Sequence, residues 1–431
     1  MSSFHTPGHK GQLELCADPA MDLTELPDTG SLYDGGDAIQ AAEEEAARQF
    51  GAARTFFSGG GCTLCIQAML MLASGGGRIL MARNAHRSAL HTAALLGLDP
   101  VWCWPDYTRS TGPIGADAVE EMLNTDHNIR SVYITSPDYY GNLCDVAGIA
   151  AVCRRAGIPL LVDNAHGSHL GAFGRHPLAQ GAYMTADSAH KTLPVLTGGA
   201  YLHFSPQAAA AISLEAGKGA MALFGSTSPS FMTLASLDRA QGWWGEKGEE
   251  AYRRTAEATE ALRRTAAAAG LPAAFPEIAS RFKDPARLTL EFPDGQAAAA
   301  YFRRRGCEPE LADERYVVFI LTPFNTREDI RRLSAALEEY HPGLPTAGRA
   351  FSAFPPGLRP ERALSLRQAA LRPAEEIPAA KAVGRIAARA LCPCPPGVAA
   401  VAPGERLTAE LVAWLEERGY SRLPVVAESG E

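Results

Sequence analysis

The sequence predicts an α/β fold: a mostly parallel central sheet in a large domain, followed by a smaller α+β C-terminal domain. Three observations predict it. Short apolar runs alternate with helix-forming stretches through the first half of the chain. Glycine runs at Gly59–Gly61 and Gly75–Gly77 bracket the helix of one strand–helix–strand unit. An apolar run closes on a carboxylate, Asp163, and the carboxyl end of a parallel strand is where ligands gather in such sheets. Strands separated by helices return to the same end of the sheet, so they pair in parallel and are covered on both faces.

In order along the chain, Ala38–Phe50 is rich in Ala and Glu and stops at Gly51, which reads as a helix. Arg54–Phe57 is a strand, and Cys62–Ala73 a helix entered through glycines. Strands are expected at Arg78–Ala82, Val101–Trp104, Ser131–Thr135, Ile158–Val162, Tyr183–Ala186 and Ala200–Phe204, with helices at Val119–Leu123 and Val146–Arg155 between them. A helix from Gly245 to about Ala269 leads into a second unit with strands Leu288–Phe292 and Tyr316–Leu321 and a helix Glu328–Tyr340. Gly343–Pro360 reads as a linker or long loop, Pro378–Ala390 as a helix, and the segment from Cys392 to Gly397 as a turn. Trp243-Trp244 is expected at a domain or subunit boundary.

With 431 residues, 46% of them hydrophobic and 20% charged, the chain is long enough for two or three domains and an ample core. A net charge of −8 without a basic tract argues against nucleic-acid binding, and the absence of a long apolar run argues against a membrane span. The first residues lack the basic and apolar regions of a signal peptide, so a cytoplasmic enzyme is expected. Nine scattered cysteines then read as reduced thiols.

Chemistry concentrates in two stretches, Asp163-Asn-Ala-His-Gly-Ser-His169 and Ser188-Ala-His-Lys-Thr192. A carboxylate and a lysine at the ends of successive strands suit pyridoxal phosphate: the amine forms a Schiff base with the aldehyde, and the carboxylate keeps the pyridine nitrogen protonated. Gly61, Cys62 and Thr63 stand at a loop-to-helix junction, where free N–H groups favour a phosphate.

At these residues the chain resembles the Orn/Lys/Arg decarboxylase family, in its compact form without an N-terminal wing. The resemblance is carried by Phe4-His-Thr-Pro-Gly-His-Lys-Gly11, Asp22–Leu26, Thr135-Ser-Pro-Asp-Tyr-Tyr-Gly141, the two stretches above, Ser226-Thr-Ser-Pro-Ser230, and Pro395-Pro-Gly397 followed by Pro403-Gly-Glu405. It implies the pyridoxal-phosphate-dependent transferase fold (fold type I). It also implies a cytoplasmic decarboxylase of lysine, ornithine or arginine in polyamine biosynthesis, acting as a homodimer with shared active sites. By the same resemblance Lys191 bonds the cofactor and Asp163 pairs with the pyridine nitrogen. Ala165 and His86 pack on opposite ring faces, and His166 lies near the ring hydroxyl or the substrate carboxylate. Ser188 and His190 help hold the phosphate, and Ser226 and Thr227 reach the partner's phosphate. His190 or Lys191 returns a proton to Cα. The implied divisions are 1–34, an N-terminal active-site segment; 35–245, the large cofactor domain; 246–342, a small α/β domain; and 343–431, a C-terminal decarboxylase-type segment.

The sequence departs from the family pattern at Gly60-Gly-Cys-Thr-Leu-Cys65, where Ser and Thr are usual, at Asn164, where Glu is common, and at Cys394, where an aromatic residue is usual. Other readings of single residues stand beside these: a surface lysine at 191, a helix cap at Asp163, a loop histidine at His86. Glu405 reads equally as a contact for the substrate amine or as an exposed loop carboxylate. Cys62 and Cys65 read as small buried residues rather than a redox pair. No metal is expected, because His5 and His9 sit in a Pro-Gly segment and lack a fixed helical face to join His166, His169 and Asp163. Two alternatives for the whole chain are another pyridoxal-phosphate reaction (transamination, aldol cleavage or β-elimination) and a non-catalytic homologue.

Overall fold

The computed structural model describes residues 2–5, 10, 23–26, 28–35, 37–105, 112–340, 357–392 and 398–428. Parts of the expected motifs lie outside the described residues: 6–9, 11, Asp22, most of the 343–360 linker, and 393–397 with Cys394. Strand β1 (Ser2–Phe4) opens the described chain, and α1 (Asp37–Phe50) leads into the central sheet. That sheet has seven strands: β2 (Arg54–Ser58), β3 (Arg78–Ala82), β4 (Asp99–Cys103), β5 (Ile129–Thr135), β6 (Leu160–Asp163), β7 (Met184–Asp187) and β8 (Ala200–Phe204), in the order β2-β8-β7-β6-β5-β3-β4. β4, β3, β5, β6 and β7 are mutually parallel, and β8 runs antiparallel to both its neighbours. Every strand of the parallel set except β4 is almost wholly buried, as expected for strands covered on both faces.

The covering helices begin and end where their sequences say they should. α2 (Gly61–Ser74) stops at Gly75 in the left-handed conformation, and α3 (Arg87–Leu96) does the same at Gly97. α4 (Ala116–Thr125) precedes β5, and α5 (Val146–Ala156) is capped by Asp145, whose side chain accepts the Gly148 N–H. The four-residue α6 (Ala189–Thr192) connects β7 to β8. Three helices that the sequence reading passes over, α7 (Pro206–Ala211), α8 (Leu214–Phe224) and α9 (Phe231–Trp243), follow β8. α9 runs through a π-helical turn, Trp244–Gly248, into α10 (Glu249–Ala268). Trp244 is buried and stacks on Phe50 at 5.5 Å, while Trp243 meets Phe324 at 5.2 Å, so the pair joins the large sheet to the next unit.

That unit is a three-stranded antiparallel sheet of β9 (Arg287–Glu291), β11 (Leu311–Ala312) and β12 (Tyr316–Ile320), packed on α10, α11 (Gly295–Arg304) and α12 (Arg327–Glu338). β10 (Cys307–Pro309) pairs in parallel with β1, so the start of the chain is anchored here. After α13 (Leu366–Leu371), β13 (Ala374–Pro378) and β14 (Arg422–Val426) form a two-stranded sheet with α14 (Ala409–Glu417) packed in the same small core.

The expected helix at Pro378–Ala390 does not form. Gly384 adopts φ 83, and backbone bonds run instead to distant residues: Gly384 N–H to Leu407 O, Ala387 N–H to Glu405 O, and Ala388 N–H to Pro424 O. Long-range pairing outweighs alanine's helix propensity. Among the described residues, seven cysteines are free thiols and no helix is long and apolar enough to cross a membrane.

Candidate active site

β6 and β7 lie side by side and in parallel, so the residues at their carboxyl ends share one edge of the sheet. β6 delivers Asp163 there, and β7 leads through Asp187 and Ser188 into α6 with Lys191. The Asp163 carboxylate is buried, its Oδ2 accepting from Tyr133 Oη at 3.0 Å and its Oδ1 from the Ala165 N–H at 3.1 Å. Burial raises its pKa, against the nearby Lys191 charge and these two bonds. Burial lowers the Lys191 pKa, with Asp163 opposing. Each group is thus drawn toward its neutral form by loss of water and toward its charged form by the other.

Lys191 Nζ stands 3.0 Å from His166 Nε2 and 5.8 Å from the centre of the Tyr139 ring. The His166 ring is buried against Tyr139 at 4.7 Å, and burial followed by the Lys191 charge holds it well below the ordinary histidine range. His86 also lies near Tyr139, at 6.4 Å, and caps α3 by accepting the Ser88 N–H. Burial, then Lys191, lowers its pKa to about 4. Lys191, His166 and His86 therefore gather around Tyr139. Tyr139 stands in the Thr135–Gly141 motif, whereas nothing local to Tyr133 marks it as a partner of Asp163.

The N-terminus of α2 lies beside this edge. Gly61 donates its N–H to Gly198 O at 2.7 Å, and His190 donates its own to Gly199 O at 3.2 Å, so the two loops close on each other. Gly61 has φ 72, a conformation that suits glycine, and no side chain caps the helix. A Cβ at Gly59 or Gly61 would meet nothing within 4 Å. The N–H groups that follow Gly61 in the first turn have no side-chain cap and are suited to an anion. Cys62 is buried at this turn and Thr63 is exposed. The Cys62 thiol is pushed well up by burial and by Asp163, which makes it a poor nucleophile. The Cys65 thiol is raised as well, chiefly by burial. Ser188 Oγ and His190 Nδ1 are 3.3 Å apart, and His190 Nδ1 lies 3.2 Å from Gly199 O. Ala165 is half-buried against the core below.

Not every candidate comes to this place. Ser226 and Thr227 are exposed between α8 and α9, where Ser226 Oγ accepts the Ser228 N–H. Among the described residues, no contact recorded around Lys191 includes either of them. Glu405 is neither an exposed loop carboxylate nor turned to the site. It is buried, with Oε2 3.0 Å from Arg83 Nη2 and accepting the Ala402 N–H at 2.7 Å. Arg83 itself lies between Trp102 and Trp104, at 5.0 Å from each ring, because a buried guanidinium needs both a counter-charge and flat apolar partners. Sequence reasoning also misses Arg287. It is buried, donates to Tyr139 O at 3.0 Å, and lies 3.5 Å from Asp284, which in turn meets His169 at 2.9 Å. The only local signal for it is the Asp-Pro-Ala-Arg run at the head of β9.

Comparison with known proteins places this arrangement in context. The Orn/Lys/Arg decarboxylase major domain matches residues 1–279, and the C-terminal domain of the same family matches residues 347–419. The uncharacterized protein YaaO of Bacillus subtilis is 31% identical, over 95% of this chain and 89% of that protein. An arginine decarboxylase of Halalkalibacterium halodurans is 29% identical, over 98% of this chain and 91% of that one. The solved structure of the constitutive lysine decarboxylase of E. coli superposes with a TM-score of 0.76 at 21% identity, over 95% of this chain and 74% of that chain.

Proposed function

The chain belongs to the Orn/Lys/Arg decarboxylase family, and from that membership we propose that it removes the α-carboxylate of arginine, lysine or ornithine as carbon dioxide, leaving the amine, with pyridoxal 5'-phosphate as cofactor. Arginine is the first substrate to assay, because relatives named arginine decarboxylase align over nearly their whole length. The observation that carries the reading is the placement of a buried carboxylate and a partly buried amine at the ends of adjacent parallel strands, beside an uncapped helix N-terminus. This donor set fits the cofactor: an anion for the pyridine nitrogen, an amine for the aldehyde, and free N–H groups for the phosphate.

Pyridoxal phosphate supplies a carbonyl that condenses with amines and a protonated ring that accepts the electron pair of a broken bond at Cα. The protein supplies the rest. Asp163, fixed by Tyr133 Oη and the Ala165 N–H, would hold a proton on the ring nitrogen. Lys191, with its pKa lowered by burial, would hold the cofactor's aldehyde through its amine and is placed to carry a proton to the substrate Cα. His166, neutral and 3.0 Å away, would accept a hydrogen bond from Lys191 Nζ and so orient it, and His190 is the other candidate donor to Cα. His86 and Ala165 would flank the ring. Gly61, Cys62, Thr63, Ser188 and His190 would hold the phosphate, with Ser226 and Thr227 supplied from a second copy in a homodimer. The divisions 1–34, 35–245, 246–342 and 343–431, a cytoplasmic location and a role in forming polyamines or their precursors complete the proposal.

The test is to incubate the holoenzyme with carboxyl-labelled arginine, lysine and ornithine in turn. Release of labelled carbon dioxide with one equivalent of the matching amine is expected. Formation of a keto acid with the label retained would overturn it.

A further inference from the structure

Beneath the strand ends, on the side of the sheet that faces α1, three potential metal ligands converge. His176 comes from the loop before β7, Asp187 ends β7, and His203 lies in β8. One ligand atom from each lies within 4.8 Å of the others, and His203 and Asp187 are wholly buried, with His176 4% exposed. We propose that His176, Asp187 and His203 form a binding site for a divalent cation of the zinc class.

Hydrogen bonding within the protein leaves this cluster incomplete. His176 Nε2 lies 3.0 Å from Asp187 Oδ2, which also accepts from Asn164 Nδ2 at 2.7 Å. Yet Asp187 Oδ1 and His203 Nε2 are both buried without a hydrogen-bond partner. Leaving buried polar atoms unpaired is costly, and a single cation between them would satisfy both. The outer contacts are those that orient ligands. Thr55 Oγ1 lies 2.8 Å from His203 Nδ1, and with Nδ1 as the donor the Nε2 lone pair is left for a metal, while Asn164 fixes the carboxylate. Two imidazoles and one carboxylate suit zinc and its neighbours in the first transition row, whereas calcium and magnesium prefer all-oxygen sets. His176 also lines a cleft of about 670 Å³ with Phe50, Gly171 and Trp244, which provides a way in from solvent.

The position gives the site a use. Asp187 adjoins Ser188 and the helix that carries Lys191, and Asn164 adjoins Asp163. A cation here would pin the two loops that bring the amine and the carboxylate together. The cluster shares no residue with the histidines that the sequence reading weighs for a metal, because its members come from three separate segments.

The experiment reads metal rather than turnover, so it stands apart from the decarboxylase reading. Untagged holoenzyme, dialysed against metal-free buffer, is analysed for bound metals and then titrated with Zn²⁺ or Co²⁺. Close to one zinc or cobalt per chain is expected, with cobalt giving visible d–d bands beyond the cofactor's absorption. His176→Ala and His203→Gln should retain at least roughly tenfold less metal, and Thr55→Val, which removes only an orienting contact, should weaken binding by about ten- to a hundredfold. Circular dichroism confirms that each variant is folded, and the wild-type stoichiometry does not depend on any of them. A wild-type protein that neither holds nor takes up either metal, or uptake unchanged in both histidine variants, overturns the proposal.

Discussion

Asp163 and Lys191 illustrate how much a single residue owes to its surroundings. Burial pulls both toward neutrality, and their mutual attraction resists it. Replacing Lys191 by Ala should lower decarboxylation by at least roughly 10²–10⁴-fold and abolish the visible absorption of lysine-linked cofactor; steady-state kinetics and a spectrum check both. Tyr133 acts through Asp163, since its hydroxyl bond lowers the carboxyl pKa. Tyr133→Phe removes a bond to a charged group worth about 1.5–3 kcal/mol. The Asp163 pKa should therefore rise, moving the acid limb of the kcat profile to higher pH while KM stays nearly constant. His86 provides a test in the opposite sense. Its folded pKa is about 4 against 6.5 for the free group, so its contribution to stability is complete above 6.5 and is lost as pH falls from 6.5 toward 4. Thermal unfolding across that window should show the loss in the wild type and a flatter curve in His86→Asn; parallel curves would count against it. Lys191, Asp163 and His166 were legible because short local runs display them. Tyr133 was not, because a tyrosine in an apolar strand looks the same whether or not its hydroxyl meets a carboxylate on the next strand, and Arg287 was not, because its bond to the Tyr139 carbonyl joins residues far apart in the chain.

At the scale of elements, α2 was legible from its glycines. Gly61 shows why: at φ 72 any side chain strains the backbone, although a Cβ there has room. Gly61→Ala should cost about 1–2 kcal/mol of stability and weaken cofactor retention, as denaturant melts and equilibrium dialysis would show; an unchanged cofactor affinity would remove this turn from the phosphate site. The same local logic fixes α12, where Thr326 and Asp329 cap each other's backbone in the manner their spacing suggests. It fails at 378–390. Alanines favour a helix in isolation, but here the N–H groups of Ala379, Gly384, Ala387 and Ala388 bond to residues far along the chain, and Gly384 turns the backbone away.

At the scale of the whole molecule, the C-terminal segment returns to the active-site edge through Arg83. That guanidinium holds Glu405 and the carbonyl of Ala400, and Val398 bridges to His86. Breaking a buried pair strands a charge, so Glu405→Ala should destabilise the protein by about 3–5 kcal/mol, read from chemical denaturation, and lower turnover by disturbing His86. A change below about 1 kcal/mol would mean that the segment is held by its apolar core alone.

Read alone, the sequence determined the alternation of strands and helices, the candidate residues at the strand ends, and the family, because periodicity, turn residues and short motifs are local properties. Only the tertiary structure decided that Glu405 is buried against Arg83, that Tyr133 serves Asp163, that 378–390 is a run of turns and bridges rather than a helix, and that His176, Asp187 and His203 meet. Those outcomes depend on which distant groups close together once water is expelled, and such pairings leave no mark on the order of neighbouring residues.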